Sequence, residues 1–225
     1  MDVGIAKRNN HNFVVYNGLR HLYRDSMSGS GRYKKPSRPA IFLDRDGTIN
    51  KQVGHVGHPQ KIELMPGAAQ AIARINTMGY WCIVITNQSA VARGLASEDD
   101  VRRVNSEVAL RVARESGGRI DGFYYCPHHE SEGTGAYTVA CNCRKPAPGM
   151  ILAGAKDFNV LLEHSWMVGD GAIDHEAAKR ASPSIRTILL PSEYHDGKGL
   201  ADFYEDSLLL AVERIATTVN RALQS

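Results

Sequence analysis

From residue 39 onward the apolar positions of this chain alternate between two periods. A short continuous run, Ala40-Ile41-Phe42-Leu43, ends in Asp44 and has the signature of a strand covered on both faces. Pro66 opens a stretch in which Ala68, Ala71, Ile72 and Ile75 recur at helical spacing, and Gly79 closes it. A second continuous run over 80–85 ends at Thr86. Ser97 and Asp100 are spaced as a helix cap, and Val101, Val104, Val108 and Val112 follow on one face until Gly117-Gly118. Phe123-Tyr124-Tyr125 predicts a third strand that runs straight into Cys126. Pro148 starts a helix with Ile151, Leu152 and Ala155 inward, and residues 165–168 predict a fourth strand that ends at Gly169-Asp170. A helix over 173–181 and a strand over 187–190 follow. Leu208, Val212, Ile215, Val219 and Leu223 line one side of a last helix, expected to cover the sheet rather than bind a partner helix. Such alternation predicts an α/β fold, a parallel sheet with helices on both faces and no segment long enough for a large cap domain.

Residues 1–38 do not share this rhythm. Residues 13–16 could form a short strand, and 26–37, rich in Ser, Gly, Lys and Arg, read as a linker. This stretch carries eight Lys and Arg against Asp2 and Asp25, a net of +6, whereas the whole chain stands at +3. The remaining body is therefore slightly acidic, at −3, which argues against extensive nucleic-acid contact by the body. The basic arm suits a solvated tail as well as a contact with RNA, lipid or protein. The expected organisation is a basic extension over 1–38 and one domain over 39–225, a length that can bury a sizeable core. The sequence lacks the long apolar run of a membrane span and the apolar segment of an export signal. Together with clustered cysteines, this leads us to expect a cytoplasmic protein.

Candidate chemistry falls at the strand ends, where open α/β sheets place it. Asp44, at the end of the first strand, can attack phosphorus, and Asp46 can deliver and remove a proton. Alone, Asp-x-Asp-Gly-Thr could equally be a polar turn. Thr86-Asn87-Gln88-Ser89 follows the second strand and offers a hydroxyl and backbone N–H groups to phosphate oxygens, although Ser and Thr also cap helices. Arg144-Lys145-Pro146 precedes the helix after the third strand, and Lys145 could neutralise a phosphoryl group. Asp170 could hold Mg²⁺; Asp174, one turn on, could support it or simply favour a helix N-terminus.

Taken in this order, Asp44-x-Asp46, Thr86, Lys145 and Gly169-Asp170 resemble the haloacid dehalogenase (HAD) superfamily of Mg²⁺-dependent phosphotransferases over roughly residues 39–192. The resemblance implies that Asp44 is the nucleophile and Asp46 the general acid/base. It further implies that Thr86 and Lys145 stabilise the phosphoryl group and that Asp44, the Asp46 carbonyl and Asp170 bind Mg²⁺.

Cys126-Pro127-His128 and, twelve residues later, Cys141-Asn142-Cys143 supply three thiolates and an imidazole, a complete tetrahedral set for structural Zn²⁺. Free thiols are the plainer alternative. His129 is read as a bystander and Cys82 as a small buried residue. The layout resembles the zinc-bearing HAD subfamily of D-glycero-D-manno-heptose 1,7-bisphosphate 7-phosphatases and the related histidinol-phosphate phosphatases. Leu43-Asp44-Arg45-Asp46-Gly47-Thr48-Ile49-Asn50 and the Ala92-Arg93-Gly94 ending of the loop after Thr86 suit the heptose branch. The resemblance implies a small phosphorylated sugar as substrate, with Arg144 reading its second phosphate. Asn87, Gln88, Ser89, Arg93, Gln52 and His55 are the other candidate substrate contacts. Two positions depart from the heptose pattern. Gln52-Val53-Gly54-His55 stands where an Asp-His-Gly-Tyr-like loop is usual, and Gly171 stands where Lys is common.

The expectation is a monomeric phosphatase that acts through an aspartyl-phosphate, most simply on the 7-phosphate of a heptose bisphosphate. Histidinol phosphate or another small ester is the nearest rival substrate. A nucleic-acid 3′-phosphatase and a non-catalytic zinc-stabilised interaction module are more distant alternatives.

Overall fold

A computed structural model of the chain describes residues 7–8, 14–16, 36–52, 59–133, 135–192 and 201–224. The strands are β1 (Lys7–Arg8), β2 (Val14–Tyr16), β3 (Ala40–Leu43), β4 (Trp81–Asn87), β5 (Gly122–Cys126), β6 (Trp166–Gly169), β7 (Arg186–Leu189) and β8 (Phe203–Tyr204). The helices are α1 (Ala68–Thr77), α2 (Glu98–Ser116), α3 (Gly149–Phe158), α4 (Ala172–Ala181) and α5 (Leu208–Gln224). All eight strands join one sheet in the order β1-β2-β5-β4-β3-β6-β7-β8. From β5 to β8 the pairing is parallel, as the strand–helix alternation predicts.

Because each strand is only four to seven residues long at the centre, alternate side chains divide cleanly between two cores. On one face Ile41, Leu43, Cys82, Val84, Phe123, Trp166 and Val168 pack against α1, α2 and α5. On the other, Phe42, Ile83, Ile85, Tyr124 and Met167 pack against α3 and α4. Each fully buried aliphatic or aromatic side chain contributes roughly 1.5–3 kcal/mol relative to exposure. The last helix covers the sheet as expected, with Leu208, Val212 and Ile215 in the first core and Val219 packed against it. Its final expected position, Leu223, has no described side-chain environment.

Local chemistry fixes the ends of these elements. Ser97 accepts from the N–H of Asp100, whose carboxylate accepts from the N–H of Ser97, so the capping box of α2 is complete. Gly117 closes α2 in the left-handed region. Helix α3 has Met150, Ile151, Gly154 and Phe158 inward. Leu152, expected inward, is instead exposed. It lies one position beyond Ile151 and so a quarter turn off the buried stripe.

The strand expected near residues 13–16 is present as β2, which pairs antiparallel with β5 (Val14 opposite Tyr125, Tyr16 opposite Phe123). The extension thus adds two strands to what would otherwise be the edge at β5. Most of the expected linker over 26–37 lies outside the described residues. Among the described residues no helix is long and apolar enough to cross a membrane.

Candidate active site

Strand β3 is the point at which the sheet order reverses: β4 and β5 extend to one side and β6 to β8 to the other. A crevice therefore opens beyond the carboxyl end of β3, and the chain places its polar groups there. Asp44 leaves β3 with its N–H donated to the Val168 carbonyl of β6 at 3.0 Å. Thr86 sits within the end of β4, Lys145 in the segment after β5, and Asp170 directly after β6.

Lys145 binds these elements together. It is 3% exposed, and its Nζ donates to Asp44 Oδ1 at 2.7 Å, to Asp174 Oδ1 at 2.6 Å and to the Ile85 carbonyl at 3.2 Å. Burial works against its charge, but Asp174 and Asp44 outweigh burial and hold the ammonium well above its ordinary range. Its peptide is fixed as well. Asn87 Nδ2 donates to the Lys145 carbonyl and Asn87 Oδ1 accepts from the Lys145 N–H, both at 3.0 Å. Asn87, a candidate substrate contact, therefore has its amide engaged in holding Lys145.

Asp44, Asp170 and Asp174 each bring a carboxylate oxygen within 4.8 Å of the others. Asp174 was the residue with two readings. Its carboxylate fills the helix-terminal one, accepting at 3.1 Å from the N–H of Gly171 at the start of α4, and it also accepts from Lys145, a contact that neither reading named. Glycine makes this approach possible at two points. A Cβ on Gly169 would lie 2.2 Å from Asp174 Oδ2, and one on Gly47 would lie 2.3 Å from Asp170 Oδ2. Gly47 also sits at φ +85°, where only glycine rests without strain.

Three carboxylates gather around one ammonium, so the cluster is short of positive charge. Burial, then the neighbouring Asp174 and Asp170, push Asp44 up to about 7 despite Lys145. Burial, then Asp174, also raises Asp170. A buried all-oxygen donor set with surplus negative charge fits a hard divalent cation such as Mg²⁺. The Asp46 carboxylate is not part of this group.

Asp46 is held on a separate set of partners. Arg45 Nε and Nη2 donate to its two oxygens at 3.2 and 2.8 Å, Asn50 Nδ2 donates to Oδ1 at 2.9 Å, and Gln88 Nε2 to Oδ2 at 2.9 Å. Burial would raise this carboxyl, but the charge and hydrogen bonds of Arg45, aided by Asn50 and Gln88, hold it below its ordinary value. Gln88 Nε2 also donates to Thr86 Oγ1 at 2.9 Å, which links the Asp46 side of the crevice to the end of β4.

The Cys126, His128, Cys141 and Cys143 donors converge beside this site. All four cysteines of the chain are free of disulfides, and the three thiols of the cluster lie 3.1–3.5 Å apart. His128 Nδ1 lies 3.3 Å from Cys143 Sγ and 3.6 Å from Cys126 Sγ. A tetrahedral zinc with bonds of about 2.3 Å has S···S edges of roughly 3.7 Å, so the donor set suits Zn²⁺, with the three thiols lying a few tenths of an ångström inside that spacing. A hydrogen bond from Cys143 leads the effects that lower Cys126, and the same contact, then burial, raises Cys143, so the metal-free thiols share their protons. His129 lies outside the cluster; its Nδ1 accepts from the N–H of Glu132 at 2.9 Å.

Other expected contacts scatter around the crevice. Arg144 is half-buried, and its Nη1 donates to the His128 carbonyl at 3.3 Å. Arg93 pairs with Glu132 at 2.5 Å, and Ala92 donates its N–H to the Pro127 carbonyl at 3.1 Å. The loop carrying Ser89 and Arg93 is thereby seated on the loop carrying the thiols. Gln52 is exposed. His55 lies outside the described residues, as do the other residues of 53–58. Asn105 and Ser192 escaped the sequence reading. Ser192 Oγ donates to Asp170 Oδ2 at 3.3 Å. Asn105 accepts from Arg45 Nη1 at 2.7 Å. The signal for Asn105 was present: one amide on a valine-lined helix face.

Comparison with known proteins adds to this geometry. The haloacid dehalogenase-like hydrolase family pattern matches residues 43–182. The chain is 43% identical over 183 residues to a D-glycero-beta-D-manno-heptose-1,7-bisphosphate 7-phosphatase of Rhodopseudomonas palustris, covering 81% of this chain and 97% of that protein. A HAD-like phosphatase structure from Mesorhizobium loti superposes with a TM-score of 0.74 at 32% identity, covering 94% of this chain and 98% of that one. The D,D-heptose 1,7-bisphosphate phosphatase of B. bronchiseptica, solved with magnesium and phosphate, superposes with a TM-score of 0.70 at 29% identity, covering 80% and 99%.

Proposed function

The chain belongs to the haloacid dehalogenase-like hydrolases, and on that footing we propose that it is a phosphatase removing the 7-phosphate of D-glycero-D-manno-heptose 1,7-bisphosphate. The observation that carries the chemistry is Asp44 at the switch point, 2.7 Å from the Lys145 ammonium and grouped with Asp170 and Asp174. The relatives of known activity carry the substrate.

Asp44 Oδ attacks phosphorus, and the bond from phosphorus to the sugar oxygen breaks. Asp46, a carboxylate in the free protein, takes up a proton as the anionic ester binds beside it and gives that proton to the departing oxygen, so the product leaves as an alcohol. The Asp46 carboxylate then takes a proton from water. The hydroxide oxygen bonds to phosphorus, the Asp44–phosphorus bond breaks, and inorganic phosphate leaves with Asp46 protonated again. Lys145 offsets charge that gathers on the phosphoryl oxygens, and Thr86 Oγ1 donates to one of them. Asp174 holds Lys145 in place. Asp44 and Asp170, with the Asp46 carbonyl, would hold Mg²⁺, which supplies further positive charge at the phosphoryl oxygens. Zn²⁺ on Cys126, His128, Cys141 and Cys143 would have a structural role, with no ligand position left for water. Arg144 and Arg93 flank the crevice as readers of the second phosphate, beside Ser89, Gln88, Gln52 and His55 for the sugar. We take the protein to act as a monomer comprising a 39–225 domain and a basic 1–38 extension. A cytoplasmic setting keeps the thiols reduced.

The test is phosphate release from heptose 1,7-bisphosphate, histidinol phosphate and fructose bisphosphate, each with Mg²⁺ and with EDTA. Fast, Mg²⁺-dependent release from the heptose compound alone is expected. Equal slow release from all three would refute the substrate, and no release from any would refute the phosphatase reading.

A further inference from the structure

Arg45 is 1% exposed and one of the largest fully buried side chains among the described residues. Burying a guanidinium carries a heavy desolvation penalty unless its donors are met. Here the donors have two recipients. Nε and Nη2 grip both oxygens of Asp46, and Nη1 reaches Asn105 Oδ1 at 2.7 Å. Asn105 is itself fully buried, on the face of α2 that otherwise presents Val101, Val104, Val108 and Val112. Its Nδ2 has no hydrogen-bond partner. An amide placed in an apolar face, with one end satisfied only by Arg45, has one evident task there.

We propose that Asn105 and Arg45 form a strut from the core of α2 to Asp46, and that the strut positions the Asp46 carboxyl for proton transfer to and from the reacting oxygen. The two-pronged contact fixes the plane of the carboxyl group, which a point charge would not do. Asn50 and Gln88 add one bond each, but both come from the loops that border the crevice. Among the described residues that bond Asp46, only Arg45 ties it back to a helix. Displacement of a reacting group by about 1 Å can lower a rate on the order of 100-fold, so such a tie matters to the reaction itself.

The inference rests on the role proposed above for Asp46, and leaving-group dependence separates the two. An alkyl phosphate needs a proton on its departing oxygen, whereas para-nitrophenyl phosphate releases the stable para-nitrophenolate anion without one. In Asp46→Asn, kcat/KM for the alkyl ester should fall on the order of 100-fold further than for the aryl ester. Equal losses in that variant would refute the role of Asp46 itself. In Asn105→Ala the same bias should appear in milder form, about 10-fold on the alkyl ester and under about 3-fold on the aryl ester. Inhibition by inorganic phosphate should stay within about 2-fold of the parent. Asn105→Asp keeps an oxygen for Arg45 Nη1 and should recover most of the loss. Arg45→Lys keeps the charge without the fork and should show the bias again, and it serves if Asn105→Ala is not recovered folded. Steep leaving-group bias in Asp46→Asn with equal losses, or none, in Asn105→Ala and Arg45→Lys would overturn the strut and leave a purely structural ion pair.

Discussion

Two clusters of ligating side chains lie side by side at one end of the sheet, and they are built in opposite ways. The thiol–imidazole cluster comes from a single stretch, Cys126 to Cys143, and the loop it ties is mostly exposed between Glu130 and Gly135. The carboxylate cluster comes from Asp44, Asp170 and Asp174, at the end of β3, just after β6 and in the first turn of α4, with Lys145 reaching between them from the segment before α3. The first would hold its loop through the metal; the second is held by the fold and is short of positive charge. Loss of a ligand should therefore unfold the one locally and silence the other without unfolding it.

The largest expected effect tests the second half of that contrast. Asp44→Asn should lower turnover by at least about 10⁴-fold while the circular dichroism spectrum stays unchanged. Retained activity would break the mechanism, and loss of the fold would break the contrast. Lys145→Met should lower kcat on the order of 10²–10³-fold. It should also destabilise the metal-free protein, because two buried carboxylates lose their counter-charge. A smaller loss of stability with Mg²⁺ present, read by thermal unfolding, would sharpen the view that the cluster lacks positive charge.

The double variant Cys141→Ser with Cys143→Ser should bind no zinc by elemental analysis and should be cut by protease within 127–142 while the rest of the chain resists. Uniform resistance would show that the loop does not need its metal. A further effect follows from burial of the carboxylates. Asp44, raised to about 7, and Asp170, also raised, keep protons in the folded metal-free protein that the unfolded chain has released. Both contributions to stability are full below about pH 4; that of Asp44 is lost as pH rises through about 7, and that of Asp170 as pH rises through its own raised value. Mg²⁺ competes with those protons, so the rise in Tm on adding it should be larger at about pH 7.5 than at about pH 5.5. An equal shift at both would place the ion elsewhere. Smallest is Arg93→Ala, which removes the link to Glu132 and should raise KM for the bisphosphate about 3–10-fold with kcat nearly constant.

Most elements and the catalytic frame were legible because each has a local cause. The runs at 40–43 and 80–85 are covered on both faces, Ser97 and Asp100 close a capping box, and the Val101, Val104, Val108 and Val112 stripe faces the core. The thiol cluster was equally legible, since its spacing lies within one loop. Leu152 was misread because it neighbours the buried stripe without lying on it. The double service of Asp174 was hidden, because an acid in a first helical turn has a sufficient local explanation until Lys145, 29 residues away, is seen against it. The task of Asn105, unlike its odd place on a valine face, was hidden for a related reason. Its partner Arg45 is 60 residues away, and nothing along the chain distinguishes that arginine from an exposed one.

The sequence by itself determined the alternation of strands and helices, the residues at the strand ends and the complete set of soft ligands. Periodicity, capping and ligand spacing are all short-range properties, set within a few turns of chain. Only the tertiary structure decided which of two aspartates after β6 grips Lys145, that Arg45 points inward to Asn105, and that the loop with Arg93 rests on the loop with the thiols. Those choices depend on desolvation. A buried charge must find its partner wherever packing puts one, and packing brings together residues that the chain keeps far apart.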